Sequence, residues 1–311
     1  DLQQSLGIPL PASTQFEIVD QMAMELTPIY QEFIRQGAQG DIIHNDDTTM
    51  KVLSLMKENK ENNPERKGIF TTGILSNTDD HRIALFFTGR QHAGENLNDL
   101  LKHRIGLSPP IQMCDALSRN VPKEFETLLA NCLTHGRRQF VDVLQSFPEE
   151  CSYVLKILAE VYKNDEIAKE QNMDAEERLH FHQDDSGPLM KKLNTWFHKQ
   201  IDQHLVEPNS GLGQAIGYML KHWEALTLFL REPSAPLDNN ICEQALKKVI
   251  LHRKNALFYK TEHGAMVGDL FMSLIHTCNL SGTNPFDYLT ACLLYTSDAA
   301  DDMQCVDLGG R

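Results

Sequence analysis

Apolar residues recur mostly at spacings of three and four through Phe16, Val19, Met22, Met24, Leu26, Ile29, Tyr30, Phe33 and Ile34. The stretch up to about Gln39 therefore predicts a helix, broken near its start by PLPAST at Pro9 to Thr14. The pattern then changes. DIIHNDDTTMKVLSLM, Asp41 to Met56, has short apolar blocks and a Thr pair and predicts a strand, followed by the polar run KENKENNPERKG as a loop. GIFTTGIL, from Gly68, and HRIALFFTG, from His81, flank SNTDD and predict a hairpin whose loop is longer than the tight two-residue kind. GENLNDLLKHR predicts a helix with Leu97, Leu100 and Leu101 on one side, and IQMCDAL, Ile111 to Leu117, is a short apolar run ending in an acid. EFETLLANCL stays open between strand and helix. The segment GRRQFVDVLQSF after it is helical, and residues 149 to 232 are helical almost throughout, with Trp196 and Trp223 at core positions.

This order of elements is α/β, and it divides the chain into a helical lead-in (1–39), a first sheet-bearing part (40–148), a helical insertion (149–232) and a second part with further helices (233–291). A chain of 311 residues, 41% hydrophobic and 23% charged, suits one large domain or two smaller ones. No apolar run approaches the roughly 18 residues of a membrane span, and no basic-then-apolar leader stands at Asp1, so a soluble, non-secreted protein is expected. Seven cysteines without a CxxC pair indicate neither a zinc knuckle nor a disulfide framework. A net charge of −14 argues against nucleic acid binding over the whole surface and leaves room only for a local contact.

The end of the chain breaks with what precedes it. CLLYTSDAADDMQCVDLGGR, Cys292 to Arg311, has no helical period and carries four Asp against one Arg. It resembles the translation of adapter DNA from sequencing libraries, and residues 292–311 are expected to be read-through rather than native chain.

Most acidic pairs are turn residues: Asp79/Asp80 in the hairpin loop, Asp184/Asp185 beside Gly187 and Pro188, and Asp301/Asp302 in the tail. Asp46 and Asp115 differ, because each closes an apolar strand-like run, where a carboxylate costs desolvation unless it is paired or binds a cation. They are either strand-end acids facing water or, if their strands are neighbours, a carboxylate pair. Such a pair repels unless a metal neutralises it, and an all-oxygen set of this kind suits Mg²⁺ and not zinc. On a helical wheel Glu243 falls at about 200° from Ile241, bordering the apolar arc, with Asn239 on the same side and Lys247 and Lys254 just beyond. It is either half of a surface Glu–Lys pair or a third metal-facing carboxylate beside cations that could hold a phosphate backbone.

PLDNNICEQALKKVILHRKNALFY, from Pro236, resembles the glutamate motif of the IS-sixty-six family of bacterial insertion-sequence transposases. IIHNDDT is similar to that family's HADET block, CLTHGRRQF to its CWAHARRKF block, YMLKHWEALTLFL to the segment before the glutamate, and IQMCDAL stands where the second acid is expected. The blocks occur in order from about Leu6 to Leu289, and the acids lie 69 and 128 residues apart. The resemblance implies an RNase H-like (retroviral integrase-like) mixed sheet with a large helical insertion before the last acid. It also implies a DDE transposase that cuts and joins DNA strands. Asp46, Asp115 and Glu243 would be its catalytic acids and would hold two Mg²⁺ ions, for which Mn²⁺ substitutes. It assigns DNA contact to Lys247, Arg253, Lys254, Asn255, Arg137 and Arg138, and supporting roles to His135, Asn239 and Asn240. The implied partners are transposon ends, target DNA, further copies of the chain and accessory proteins of the same element, in a bacterial cytoplasm at the nucleoid and away from any membrane. Asp47 replaces the usual Glu, Asn45 the usual Ala, and DALSRN the usual DGYxxY after Asp115, which makes Asp115 the least secure of the three. Two other readings are a decayed, non-catalytic DNA-binding remnant and a metal-independent glycosidase built on two carboxylates.

Overall fold

The computed structural model describes residues 7, 10–62, 68–78, 81–106 and 108–296. In chain order the elements are α1 (Ala12–Gly37), β1 (Ile42–Thr49), α2 (Leu53–Asn62), β2 (Phe70–Asn77), β3 (Arg82–Gly89), α3 (Ala93–Leu101), β4 (Ile111–Cys114), β5 (Leu128–Asn131) and α4 (Leu133–Asp142). Then follow α5 (Pro148–Glu170), α6 (Ala175–Phe181), α7 (Gly187–Asp202), α8 (Gly211–Lys221), α9 (Trp223–Leu226), α10 (Asn240–Ala256), α11 (Glu262–Leu280) and α12 (Pro285–Thr296). The chain is mixed α/β and forms two compact units, one made of residues 1–108, 121–125 and 241–311, the other of 109–120 and 126–240. No described helix is long and apolar enough to cross a membrane.

In the first unit β1, β2 and β3 pair antiparallel in sequence, and the predicted hairpin is the β2–β3 pair; Asp79 and Asp80 of its loop lie outside the described residues. Alternation along the strands splits the apolar residues between two faces. Ile43, Ile74, Ile83 and Leu85 pack with Leu26, Ile29 and Phe33 of α1 and Leu97, Leu100 and Leu101 of α3. Leu75, Ala84 and Phe86 pack on the other face with Cys242, Ala245, Leu246 and Val249 of α10. A row of three side chains four residues apart on α11 is bonded along β3: the Thr88 N–H donates to Asp269 Oδ2 (2.5 Å), the Phe86 N–H to Ser273 Oγ (2.9 Å) and the Ala84 N–H to Thr277 Oγ1 (3.0 Å). Tyr30 OH donates to the Phe86 carbonyl at 3.0 Å.

Two expectations need correction here. The strand predicted over residues 41–56 ends at Thr49, and Leu53–Asn62 is a helix, so the first residues of the loop predicted from Lys57 are helical. Val52, Leu55 and Asn59 are the buried positions, and their i, i+3, i+7 spacing is helical, a signal masked by the neighbouring apolar run. The absence of helical structure expected from Cys292 does not hold for its first residues: α12 runs through Cys292 to Thr296, and Cys292 is fully buried in the α1–α3 side of the core. Residues 297–311 lie outside the described residues.

In the second unit β4 and β5 pair parallel, which resolves EFETLLANCL as a strand, and the helical character expected for residues 149–232 is present in α5 to α9. Trp196 and Trp223 are half-buried, both in ring contact with the buried Phe197 (5.8 and 6.2 Å between centroids). A charged cluster ties α5 to α6 and to the π-helical turn His182–Ser186. Asp165 takes Arg178 Nη2 at 2.7 Å, Lys169 Nζ at 2.5 Å and His182 Nε2 at 3.3 Å. Burial alone would raise the Asp165 carboxyl, but the His182 and Lys169 hydrogen bonds and the Arg178 charge hold it well below the usual carboxylate range.

Candidate active site

Asp46 and Asp47 are adjacent on β1, so strand alternation sends their carboxylates to opposite faces of the sheet. Asp46 pairs with Gly73 and Asp47 with Thr72. Asp47 faces the α3 side, where its Oδ2 lies 2.9 Å from His92 Nδ1 and its side chain is 2% exposed. Asp46 faces the α10 side and is half-buried, and its Oδ1 accepts the Asp47 N–H at 2.8 Å.

Gly73 decides how close α10 comes to Asp46. A Cβ at this position would lie 3.1 Å from Leu246 Cδ2 and 3.7 Å from Cys242 Sγ, and the Cys242 thiol donates to the Gly73 carbonyl at 3.4 Å. Glu243 is the next residue along α10 from Cys242 and is half-buried. The first unit thus brings the Glu243 turn of α10 against the strand position paired with Asp46. Of the other residues assigned on α10, Lys247, Lys254 and Asn255 are exposed. Arg253 is engaged by β1, donating from Nη1 to the Thr49 carbonyl and to Thr49 Oγ1 (2.8 Å), so it pins the helix to the end of the strand that carries Asp46.

The second unit holds Asp115 just past β4. Its Oδ1 accepts hydrogen bonds from the Asn120 side chain and from the Leu117 N–H (3.3 Å). Burial pushes the Asp115 carboxyl up from its ordinary value, and the Leu117 amide, the charges of His135 and Arg119 and the Asn120 bond offset this only in part. His135 lies on α4, where its N–H donates to the Cys132 carbonyl at 3.2 Å. The Asn239 N–H donates to Cys132 Sγ at 3.3 Å and the Leu133 N–H to the Leu237 carbonyl at 2.9 Å, so the PLDNN segment is laced onto the start of α4. Asn239 is fully buried, whereas Asn240 is exposed and bonded to Asp238 (2.8 Å). Arg137 and Arg138 are exposed on α4.

Three residues of this geometry were not reached from the sequence. His92 holds Asp47, Asn120 orients Asp115 from within the segment that departs from the family pattern, and Gly73 admits α10. The D-x-x-x-x-N spacing of Asp115 and Asn120 is the one trace that could have been noticed.

A family model described as Transposase IS66 family matches residues 1–267. The chain belongs to the IS66 transposase family. Among curated proteins it is similar to the uncharacterized protein y4hP of Sinorhizobium fredii, 27% identical over 94% of this chain and 54% of that one. It is also similar to y4jD of the same organism, 36% identical over 53% of this chain and 32% of the relative. The chain spans about half the length of y4hP and about a third of y4jD. The residues expected to hold a metal, Asp46, Asp115 and Glu243, offer carboxylate oxygens, the hard donors that would suit Mg²⁺. Asp115 also carries the burial penalty that a bound cation would relieve.

Proposed function

We propose that this chain is the catalytic domain of a DDE transposase that cleaves DNA strands at the ends of an insertion sequence and joins them to target DNA. Asp46, Asp115 and Glu243 are its acids, on an RNase H-like core interrupted by the helices of residues 148–232. The observation that carries the reading is the Asp46–Gly73 pair, over which α10 is seated one residue from Glu243. Mg²⁺ held by the three carboxylates would activate the attacking oxygen and stabilise charge on the leaving 3′-oxygen.

The chain's own residues orient and support that chemistry. The Asp47 N–H fixes one oxygen of Asp46, and Asn120 with the Leu117 N–H fixes one oxygen of Asp115, so both carboxylates are held in one rotamer before any ligand arrives. His135 adds favourable charge beside Asp115. Arg253 holds α10 in place, and the exposed Lys247, Lys254, Asn255, Arg137 and Arg138 supply phosphate contacts without base specificity. Because the chain spans only part of its relatives' length, end recognition, assembly of several copies on DNA and work with accessory proteins belong to this proposal for the whole protein.

The test is Mn²⁺-dependent nicking of supercoiled plasmid by the full chain, with calorimetric Mn²⁺ titration alongside. Asp46→Asn, Asp115→Asn and Glu243→Gln should each abolish nicking and weaken Mn²⁺ binding. Nicking that survives any of the three removes that residue from the site, and nicking that survives all three ends the reading.

A further inference from the structure

Away from these acids, the first unit contains a cavity of about 510 Å³ between α1, the end of β3 and the first turns of α11. Its walls are Tyr30, Phe87 and Met266, and its polar lining includes Asp269, Glu262 and Arg90. Asp269 is only 4% exposed. Its two oxygens accept the Thr88 N–H and hydroxyl (2.5 and 2.7 Å), and among the described residues no Lys, Arg or His pairs with it. A buried carboxylate held by hydrogen bonds but lacking a counter-charge is an unfavourable arrangement that a cationic ligand would relieve.

The charges around the cavity point the same way. Arg90, the cation in the lining, donates from Nε to Asn59 Oδ1 and from Nη2 to Glu58 Oε2, both at 2.7 Å, so its charge is balanced from the α2 side. Glu262 has no ion pair among the described residues. The cavity lining thus combines the buried Asp269 and the exposed Glu262, neither in an ion pair among the described residues, with two aromatic rings and a thioether. Aromatic faces attract organic cations and a thioether accommodates an aliphatic chain, whereas a hard divalent ion would want six or more oxygens. The volume lies within the range of small-molecule sites, roughly 300–1,000 Å³.

We propose that this cavity binds a small organic cation, a protonated primary amine or guanidinium on an aliphatic stem, with Asp269 and Glu262 as its counter-charges. The inference does not depend on the transposase reading. The ionised form of Asp269 is the binding form, and burial pushes its carboxyl up to about 7. Tyr30 and Tyr259, both raised by burial and by Asp269, remain neutral across this range, so the pH dependence follows Asp269.

The experiment is calorimetric titration of the full chain with 1,4-diaminobutane and agmatine at 0.15 M salt, with 1,4-butanediol as the neutral counterpart. Both cations should bind and the diol should not. Affinity should tighten about tenfold between pH 6 and pH 8, the change in the ionised fraction of a group titrating near 7. Asp269→Asn, whose amide oxygen can still accept the Thr88 N–H, should weaken binding at least tenfold and flatten the pH profile. If that variant fails to fold, Met266→Lys decides: Met266 is 60% exposed at the mouth, and a lysine there would place a tethered ammonium in the cavity and compete with the ligand. No binding, equal binding of the diol, or amine binding unchanged by Met266→Lys, as expected from the chain's general acidity, would each overturn the proposal.

Discussion

Gly73→Ala isolates the contact on which the candidate site depends. The added Cβ would meet Leu246 Cδ2 at 3.1 Å and Leu246 Cγ at 3.3 Å. Carbon atoms pack best at about 3.5–4.0 Å, so Leu246 or the whole of α10 must withdraw by about 0.4–0.9 Å. Overpacking of this size costs about 1–3 kcal/mol, and the loss of glycine's freedom in the unfolded chain returns about 0.5–1 kcal/mol. The net expectation is a destabilisation of about 0.5–2 kcal/mol, read from urea unfolding followed by circular dichroism. Since α10 also carries Glu243, calorimetric Mn²⁺ affinity should fall in the same variant, whereas a purely structural defect elsewhere in the core would leave it intact. Leu246→Val made in the Gly73→Ala background should be less damaging than the sum of the two single changes by at least about 0.5 kcal/mol, because it vacates the space the methyl needs. A Gly73→Ala protein as stable as the parent with unchanged Mn²⁺ affinity, or strict additivity in the double variant, would refute the claim that this glycine seats the helix.

The remaining expectations are more local. Asp47→Asn weakens the buried contact with His92 and should cost about 1–3 kcal/mol of stability while leaving Mn²⁺ affinity intact, the reverse of Asp46→Asn; equal effects on Mn²⁺ would undo the assignment of the two acids to opposite faces. Ser273→Ala deprives the Phe86 N–H of its acceptor and should cost about 1–3 kcal/mol, with faster amide exchange at Phe86 as the signature. Asp165→Asn should cost about 3 kcal/mol at pH 7 by breaking the Arg178–Lys169–His182 cluster. Because the folded Asp165 carboxyl is depressed, its contribution is present above the ordinary carboxylate range and lost as pH falls below about 4, so parent and variant stabilities should converge in acid. Lys247→Ala with Lys254→Ala should lower the slope of log affinity for DNA against log salt by about 1.8 if both touch phosphate, and leave it unchanged if neither does.

What the sequence revealed depends on how local each signal was. The β2–β3 hairpin, α3 and the helices of residues 148–232 are written in periodicity that a short window captures, and the expected membership of the transposase family is matched by the family model over residues 1–267. The Leu53–Asn62 helix was obscured because its buried face, Val52, Leu55 and Asn59, is short and follows directly on an apolar strand. Asp46 could be singled out as the acid closing an apolar run, but which side of the sheet it and Asp47 each face follows from their register with Gly73 and Thr72, which no local pattern encodes. Arg253 belongs to a basic stripe by composition, yet its bonds to Thr49 tie it to the fold, a pairing across more than two hundred residues. Asp269, Ser273 and Thr277 recur every four residues, but the same spacing on any helix reads as a polar stripe, and only β3 opposite gives it meaning.

That stripe also decides how the molecule can meet its own kind. β3 stands at the end of the sheet, where a strand ordinarily offers a row of vacant amides and carbonyls to any extended chain that passes. Here the amides of Ala84, Phe86 and Thr88 are answered by helix side chains and the Phe86 carbonyl by Tyr30, so this border is closed to β-augmentation by a second copy or by an unfolded neighbour. Two copies of this chain that met at this border could therefore crowd against one another without fusing their sheets along β3.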